Sequence, residues 1–161
     1  NFMKKNILII GGAGYIGSHF VKYLLKQNEE VVIFDNLSRG HIEAVPQNAK
    51  FEEVNILNRA NLRTALAKYD IDAVVHFAAF AYVGESVENP GMYYENNVVG
   101  SFNLIDEVTK AGIRKFVFSS TCSLYGNPES VPISEDESLK PINPYAETKL
   151  TIEKILRDYD T

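Results

Sequence analysis

The chain has 161 residues, 45% of them hydrophobic and 23% charged, which fits one globular domain that buries a core. Its net charge of −5 and sequence pI near 5.2 argue against nucleic acid or an anionic membrane as a partner. The single cysteine, Cys122, excludes an intrachain disulfide and stands in no cluster of metal ligands, so we predict no metal and a reducing compartment. The first apolar run, residues 7–10, is too short for a signal-peptide core or a membrane span, which predicts a cytoplasmic protein.

Short apolar runs alternate with segments of helical period along the whole chain. Five runs predict buried strands at residues 7–10, 31–34, 51–54, 73–77 and 116–119. Four segments predict helices at residues 15–27, 58–69, 90–111 and 145–160. The alternation predicts an α/β fold, a Rossmann-like open parallel sheet with helices on both faces and a ligand crevice at the carboxyl ends of its strands. The proline-rich residues 126–144 are predicted to be the longest loop.

A glycine-rich turn follows the first predicted strand. Gly12, Gly14 and Gly17 match the spacing G-x-G-x-x-G, whereas Gly11, Gly14 and Gly17 match G-x-x-G-x-x-G. With either spacing the glycines permit a tight turn and close approach to a pyrophosphate, and the following helix supplies N–H groups and a positive dipole. A glycine-rich turn that binds no ligand is the alternative, against which the surrounding residues argue.

Asp35 follows the second predicted strand, at the position where a carboxylate accepts hydrogen bonds from the adenosine ribose hydroxyls. A 2′-phosphate would be repelled there, so NAD is favoured over NADP. Arg39 lies nearby and could pair with such a phosphate. The alternative is that Asp35 is an ordinary loop carboxylate.

Tyr145 and Lys149 are four residues apart, so they share one face of the last predicted helix. A lysine cation stabilises a tyrosine phenolate, which makes this pair a candidate general base. An exposed tyrosine beside a solvated lysine is the alternative, because the spacing is common on helices. The strand predicted at residues 116–119 leads to Ser120 and Thr121, which would bring a hydroxyl to the same crevice.

Several stretches resemble the extended short-chain dehydrogenases that modify nucleotide sugars, and among these the UDP-galactose 4-epimerases. The matching stretches are residues 11–19, 34–38, 76–79, 83–86, 93–97, 118–121, 124–126 and 145–149. The resemblance implies an NAD-dependent isomerase that 4-epimerises a UDP-hexose through a 4-keto intermediate. It also implies a UDP-sugar as substrate and a homodimer when the protein is full length.

The resemblance further implies roles for single residues. Tyr145 is the catalytic base, Lys149 holds the nicotinamide ribose and tunes Tyr145, and Thr121 hydrogen-bonds the sugar hydroxyl. The implied NAD contacts are Gly11, Gly14, Tyr15, Ile16, Gly17, Asp35, Asn36, Asn55, Ile56, Phe77, Ala78, Ala79, Asn96, Ser119, Tyr145 and Lys149. The side chains at positions 77–79 could equally be core packing.

The chain also departs from the family pattern. Asn55 stands where relatives carry an aspartate beside the adenine, and Ala81 stands where some epimerases carry a lysine near the pyrophosphate. Epimerases of this family continue for a comparable further length, which forms the last strands and the domain that grips the nucleotide. The resemblance therefore implies that residues 1–161 are an incomplete NAD-binding domain, truncated before the substrate domain and inactive in isolation.

Other activities stay open. A UDP-pentose or UDP-N-acetylhexosamine 4-epimerase would share these motifs. A nucleotide-sugar 4,6-dehydratase would carry an acidic pair after Thr121, where this chain has Cys122 and Ser123. A non-enzymatic redox sensor would need the glycine-rich turn but not the base. Cys122 is interpreted as a packing residue and not a nucleophile, since no cationic helper is evident.

Overall fold

Five parallel strands form the sheet of the computed structural model, which describes residues 4–160. They are β1 (Asn6–Ile10), β2 (Glu30–Asp35), β3 (Lys50–Glu53), β4 (Ala73–His76) and β5 (Phe116–Phe118). Their order across the sheet is β3-β2-β1-β4-β5, with Ile10 of β1 opposite Phe34 and His76. The strand order reverses beside β1. The carboxyl ends of β1 and β4 therefore flank the switch point at which open α/β sheets bind ligands.

Helices follow or connect the strands. They are α1 (Tyr15–Lys26), α2 (Arg59–Leu66), α3 (Val83–Glu88), α4 (Pro90–Tyr93), α5 (Gly100–Lys110) and α6 (Pro144–Tyr159). A π-helical turn, Tyr94–Val99, joins α4 to α5, and short 3-10 helices cover Ile42–Ala44 and Cys122–Tyr125. The longest loop in the described part of the chain connects the second 3-10 helix to α6, as predicted.

Alternate side chains of the strands pack into two cores. Leu8 of β1 packs in one core with Leu62 of α2 and Leu104 of α5. Ile9, the next residue of β1, packs in the other core with Val21 of α1. Successive side chains of a strand point to opposite faces, so helices cover both faces of this sheet. This arrangement confirms the predicted α/β class and explains why the inner strands β1, β2 and β4 are mostly apolar, whereas the edge strand β3 carries charged residues.

Apart from the two short 3-10 helices, which were not predicted, the predicted elements differ from the structure at three places. All five strands and the first and last helices are confirmed to within one residue at each end. The helix predicted at residues 58–69 is too long, because the Tyr69 N–H bonds back to Leu66 in a turn and the Tyr69 hydroxyl donates to Glu52. The helix predicted at 90–111 is confirmed as continuously helical backbone from Pro90 to Lys110, but the π-helical turn within it was not predicted. The short α3 was not predicted.

The described chain divides into two compact units. The first comprises residues 4–79 and Asn103–Ser119 and holds the whole sheet. The second comprises Phe80–Phe102 and residues 120–160, and it holds α3, α4, the π-helical turn and α6. The glycine-rich turn and Asp35 therefore belong to the first unit, whereas Thr121, Tyr145 and Lys149 belong to the second.

Candidate functional site

The glycine-rich turn leaves β1 with a backbone that only glycine accommodates. Gly11 has a φ of +81°, and a Cβ there would lie 2.6 Å from the backbone nitrogen of Ala78. A Cβ on Gly17 would lie 2.1 Å from the Gly11 carbonyl oxygen, which also accepts the Gly14 N–H at 3.3 Å. A Cβ on Gly12 would meet a core isoleucine side chain 2.7 Å away. The geometry therefore requires glycine at positions 11 and 17 and gives Gly12 a packing role, whereas a Cβ on Gly14 would lie 3.4 Å from the Gly11 carbonyl oxygen and would be tolerated.

The first turn of α1 is suited to an anion. Gly14 is its N-cap, no side chain of the described residues caps it, and the first turn has no acidic residue. Tyr15 and Ile16 follow with exposed fractions of 84% and 61%. Backbone N–H groups and the positive end of the helix dipole are therefore open to a ligand phosphate. This fits the pyrophosphate of a dinucleotide.

Asp35 is engaged by the backbone around this turn. Its Oδ2 atom accepts the Ala13 N–H at 3.0 Å, its Oδ1 atom accepts the Leu37 N–H at 2.8 Å, and the residue is 8% exposed. Asp35 is thus a structural member of the turn as well as a candidate partner for the ribose. Each carboxylate oxygen retains acceptor capacity, so its predicted bond to a ribose hydroxyl stays a prediction.

The segment after β4 begins beside the turn. The N–H groups of Phe77 and Ala78 both donate to Ile10 of β1, at 2.8 and 3.1 Å. The Phe77 ring lies edge-on to Phe20 of α1 with centroids 5.5 Å apart, and Ala78 packs against the opposite core. These side chains do pack as core residues. Their partial exposure, shared by Ala79, leaves the predicted contact with a dinucleotide untested.

Four other residues of the first unit are predicted to contact NAD, and their side chains differ in exposure. The Asn36 Oδ1 atom accepts from the N–H and hydroxyl of Ser38, and Asn55 is exposed and bonds the Leu57 N–H. Ile56 is 6% exposed and packs in a core, so its side chain is poorly placed for a ligand. Ser119 follows β5 and donates its N–H to the carbonyl of His76.

Tyr145 and Lys149 lie in the first two turns of α6, in the second unit. Asn143 caps this helix by accepting the Ala146 N–H at 2.8 Å, and the Ser86 hydroxyl accepts the Tyr145 N–H at 3.2 Å. The Lys149 Nζ atom lies 5.9 Å from the centroid of the Tyr145 ring. The two groups predicted to act together are therefore neighbours, held by a capped helix.

Lys149 is not a solvated lysine. It is 3% exposed, and this burial lowers its pKa from 10.5 to about 8. An ammonium held in such a place loses hydration and is retained at the expense of stability. The alternative of an exposed tyrosine beside a solvated lysine is wrong for this pair.

Replacing Lys149 with methionine is expected to stabilise the fold at pH 7 by about 1–3 kcal/mol, since the cost of burying the ammonium is removed. Between pH 8 and 10.5 the unfolded wild type still holds the proton that the folded wild type has lost, so wild-type stability rises there. The difference in free energy of unfolding between Lys149→Met and the wild type should therefore shrink from pH 8 to 10.5. Urea unfolding of both proteins from pH 7 to 10.5 measures this difference. A difference in free energy of unfolding that did not change with pH would contradict the lowered pKa of the buried Lys149.

Thr121 stands where the chain leaves β5. Its Oγ1 atom accepts the Ser123 N–H at 3.1 Å and caps the 3-10 helix Cys122–Tyr125. The hydroxyl proton is not used by that bond. Thr121 therefore keeps a donor for a substrate oxygen, as its predicted role requires.

Two contacts of the second unit were missed by the sequence analysis. The Ser120 hydroxyl donates to Glu153 of α6 at 2.5 Å, which ties the residue before Thr121 to the helix of Tyr145. Asn97 is fully buried in the π-helical turn and bonds the N–H and C=O of Phe80 and the hydroxyl of Thr148. Glu153, four residues after Lys149 on the same helix, was the available signal for the first contact. Asn97 stands beside the polar Glu95 and Asn96, so its own segment carried no signal.

Asn96, the predicted cofactor contact of the second unit, precedes this buried residue. Its Nδ2 group donates to the Asn97 Oδ1 atom at 2.9 Å. The side chain is thus oriented by its neighbour, and its contact with NAD stays a prediction.

Cys122 is exposed, so its interpretation as a packing residue is wrong. It is the first residue of the 3-10 helix Cys122–Tyr125. Within residues 4–160, no three His, Cys, Asp or Glu side chains are grouped so that they could hold a metal ion. Over the same residues, no helix has the length and apolar character needed to cross a membrane.

Comparisons with known proteins show what the chain is similar to. Residues 7–161 match the model of the NAD dependent epimerase/dehydratase family. UDP-glucose 4-epimerase of Rhizobium leguminosarum bv. trifolii is 49% identical over 97% of this chain and 47% of that protein.

Two solved structures agree closely with the fold. UDP-glucose 4-epimerase from Brucella ovis, in complex with NAD, superposes with a TM-score of 0.93 at 49% identity over 96% of this chain and 47% of that chain. The enzyme from Thermotoga maritima, with UDP-glucose, has a TM-score of 0.92 at 38% identity, over 96% of this chain and 50% of that chain. The chain thus spans about half the length of the relatives it matches.

Proposed function

The chain belongs to the NAD dependent epimerase/dehydratase family, and we propose that the whole protein interconverts UDP-glucose and UDP-galactose by 4-epimerisation. The observation that carries the proposal is the buried Lys149 beside Tyr145, since a packed ammonium next to a phenol has a chemical use and costs stability. The similarity to UDP-glucose 4-epimerases selects the reaction. The test is conversion of UDP-glucose to UDP-galactose by the complete protein with no net consumption of NAD.

The cofactor is NAD, and the first unit has the features that its binding requires. The N–H groups at the start of α1 would hold the pyrophosphate, and Asp35 would accept from the adenosine ribose. When bound, NAD supplies a reversible acceptor for the hydride on carbon 4 of the sugar. The residues of this chain supply the binding, the orientation and the movement of the proton.

In the proposed mechanism, Tyr145 as phenolate removes the proton from the sugar 4-hydroxyl while the carbon becomes a ketone. The Lys149 ammonium stabilises that phenolate and binds the nicotinamide ribose. The Thr121 hydroxyl donates to the sugar oxygen and orients it. Once the 4-keto sugar has rotated and presents its other face, Tyr145 returns the proton to the C4 oxygen. Return of the hydride to that face would invert carbon 4.

We further propose that residues 1–161 form the NAD-binding domain, and that a substrate domain follows in the complete protein. The relatives' greater length supports this division. The complete enzyme is proposed to be a cytoplasmic homodimer. The net charge of −5 supports the absence of a nucleic-acid partner or an anionic membrane.

NAD is expected to bind at least about tenfold more tightly than NADP, because a 2′-phosphate would stand against the Asp35 carboxylate. Calorimetric titration with both dinucleotides measures the ratio. Asp35→Asn removes the charge and keeps only one of the two oxygens that accept backbone N–H groups, so its folding is checked by the melting temperature. The preference for NAD over NADP should narrow in the folded variant. Tighter binding of NADP to the wild type would overturn the role of Asp35.

A further inference from the structure

The loop after β2, residues 36–41, is fastened to the glycine-rich turn through one peptide unit. The Ala13 carbonyl oxygen accepts the His41 N–H at 3.0 Å, while the Ala13 N–H donates to Asp35 at 3.0 Å. Ala13 is 1% exposed. Both polar groups of this buried residue are therefore satisfied by the end of β2 and the loop that follows it.

Gly40 makes this contact sterically feasible. A Cβ built on Gly40 would lie 2.9 Å from the carbonyl carbon of Ala13, 2.9 Å from its Cβ and 3.1 Å from its oxygen. Real Cβ atoms do not approach a backbone so closely, and a backbone cannot move aside as the end of a flexible side chain can. The φ of Gly40 lies outside the left-handed region, so its need for glycine comes from this contact alone.

The hydrogen bond from the His41 N–H to the Ala13 carbonyl affects the proposed ligand site because it fixes the peptide group between Ala13 and Gly14. The carbonyl of Ala13 and the N–H of Gly14 belong to the same planar peptide group. Gly14 is the N-cap of α1 and donates to the Gly11 carbonyl. The His41 N–H therefore sets the rotation of the peptide from which the phosphate-binding turn of α1 begins.

We propose that Gly40 is a positioning residue for the dinucleotide: it lets loop 36–41 lie against Ala13 and hold the glycine-rich turn in its binding shape. This inference rests on the proposed NAD site. The contact between Gly40 and Ala13 connects loop 36–41, next to the proposed ribose partner Asp35, to the turn proposed to bind the pyrophosphate. Both segments therefore have their binding conformation before the ligand binds. Preorganisation of that kind raises affinity, because less ordering remains to be done on binding.

The test is Gly40→Ala in the protein, with NAD affinity measured by calorimetry well below the melting temperature. The dissociation constant for NAD is expected to rise about 10- to 100-fold, since the turn must shift by a few tenths of an ångström or more. ADP-ribose, which has the pyrophosphate and the adenosine ribose but no nicotinamide, should lose affinity by the same factor. A merely structural role would lower the melting temperature and leave the affinity of the folded protein unchanged.

Gly84→Ala and Gly91→Ala are the matched controls. A Cβ on either glycine has no neighbour within 4 Å in the described part of the chain, so the same chemical change should leave NAD affinity unaltered. Equal affinity of Gly40→Ala and the wild type for both ligands overturns the inference and leaves the proposed function standing. A wild type that binds neither ligand overturns both.

A measurement on the wild type decides the matter if Gly40→Ala does not fold. The His41 N–H is the group that holds the Ala13 carbonyl, so its hydrogen exchange should slow by the same factor as that of Ala13 when NAD binds. Exchange at His41 that NAD leaves unchanged, while Ala13 and Gly14 become protected, would refute the coupling.

Discussion

Replacing Tyr145 with phenylalanine is expected to lower turnover of the complete enzyme by roughly 10²–10⁴-fold, the usual contribution of a general base. The substitution removes one hydroxyl and leaves the ring that lies beside Lys149. The backbone bonds of Tyr145 to the Ser86 and Thr148 hydroxyls are kept, so α6 should fold unchanged. NAD affinity and the melting temperature should stay close to those of the wild type.

Tyr23→Phe is the control for this experiment. Tyr23 lies on α1 with 56% of its surface exposed, so the same atom is lost where no role is assigned. Turnover is measured as release of UDP-glucose from UDP-galactose at saturating substrate. If Tyr145→Phe turned over as fast as Tyr23→Phe, another group would have to be the base.

A polypeptide of these 161 residues alone is expected to show at least about 10⁵-fold less epimerisation than the complete enzyme. Thr121, Tyr145 and Lys149 supply proton chemistry, but holding carbon 4 of the sugar in the reacting geometry is worth about 7–11 kcal/mol of the barrier. We propose that the residues that bind the uridine and the diphosphate lie outside residues 1–161, because the relatives are about twice as long. The binding energy of the uridine and diphosphate offsets the cost of ordering the reacting sugar.

The assay compares both polypeptides at equal concentration with UDP-galactose and excess NAD. Binding of NAD to the shorter chain shows that it is folded, which separates loss of the substrate grip from loss of structure. Comparable turnover of the two would mean that residues 1–161 hold a complete substrate site, and the proposed division into two domains would fall.

The strands show how much of the fold the sequence determines. A strand covered by helices on both faces is apolar at almost every position, so residues 7–10 and 31–34 stand out as short uninterrupted apolar runs. The glycine-rich turn and Asp35 are equally visible, because each directly follows such a run. Helix ends were less visible. Tyr69 continues the helical pattern, yet its bond to Glu52, 17 residues earlier, takes it out of α2.

The π-helical turn shows a second limit of sequence patterns. One extra residue in a turn shifts the apolar stripe without breaking it, so residues 90–111 look like one helix. The buried Asn97 that this turn presents bonds Thr148, 51 residues away. Its role as a structural contact could not be found from its own segment.

The sequence by itself determined the α/β class, the strand positions, the glycine-rich turn and the proximity of Tyr145 to Lys149. All of these depend on residues that are neighbours in the chain or share one helix face. Only the tertiary structure decided that Gly11 and not Gly12 shapes the turn, that Lys149 is buried, and that Gly40 lies against Ala13. Those facts depend on how separate elements pack, and the periodicity of a single element carries no information about the distance to another.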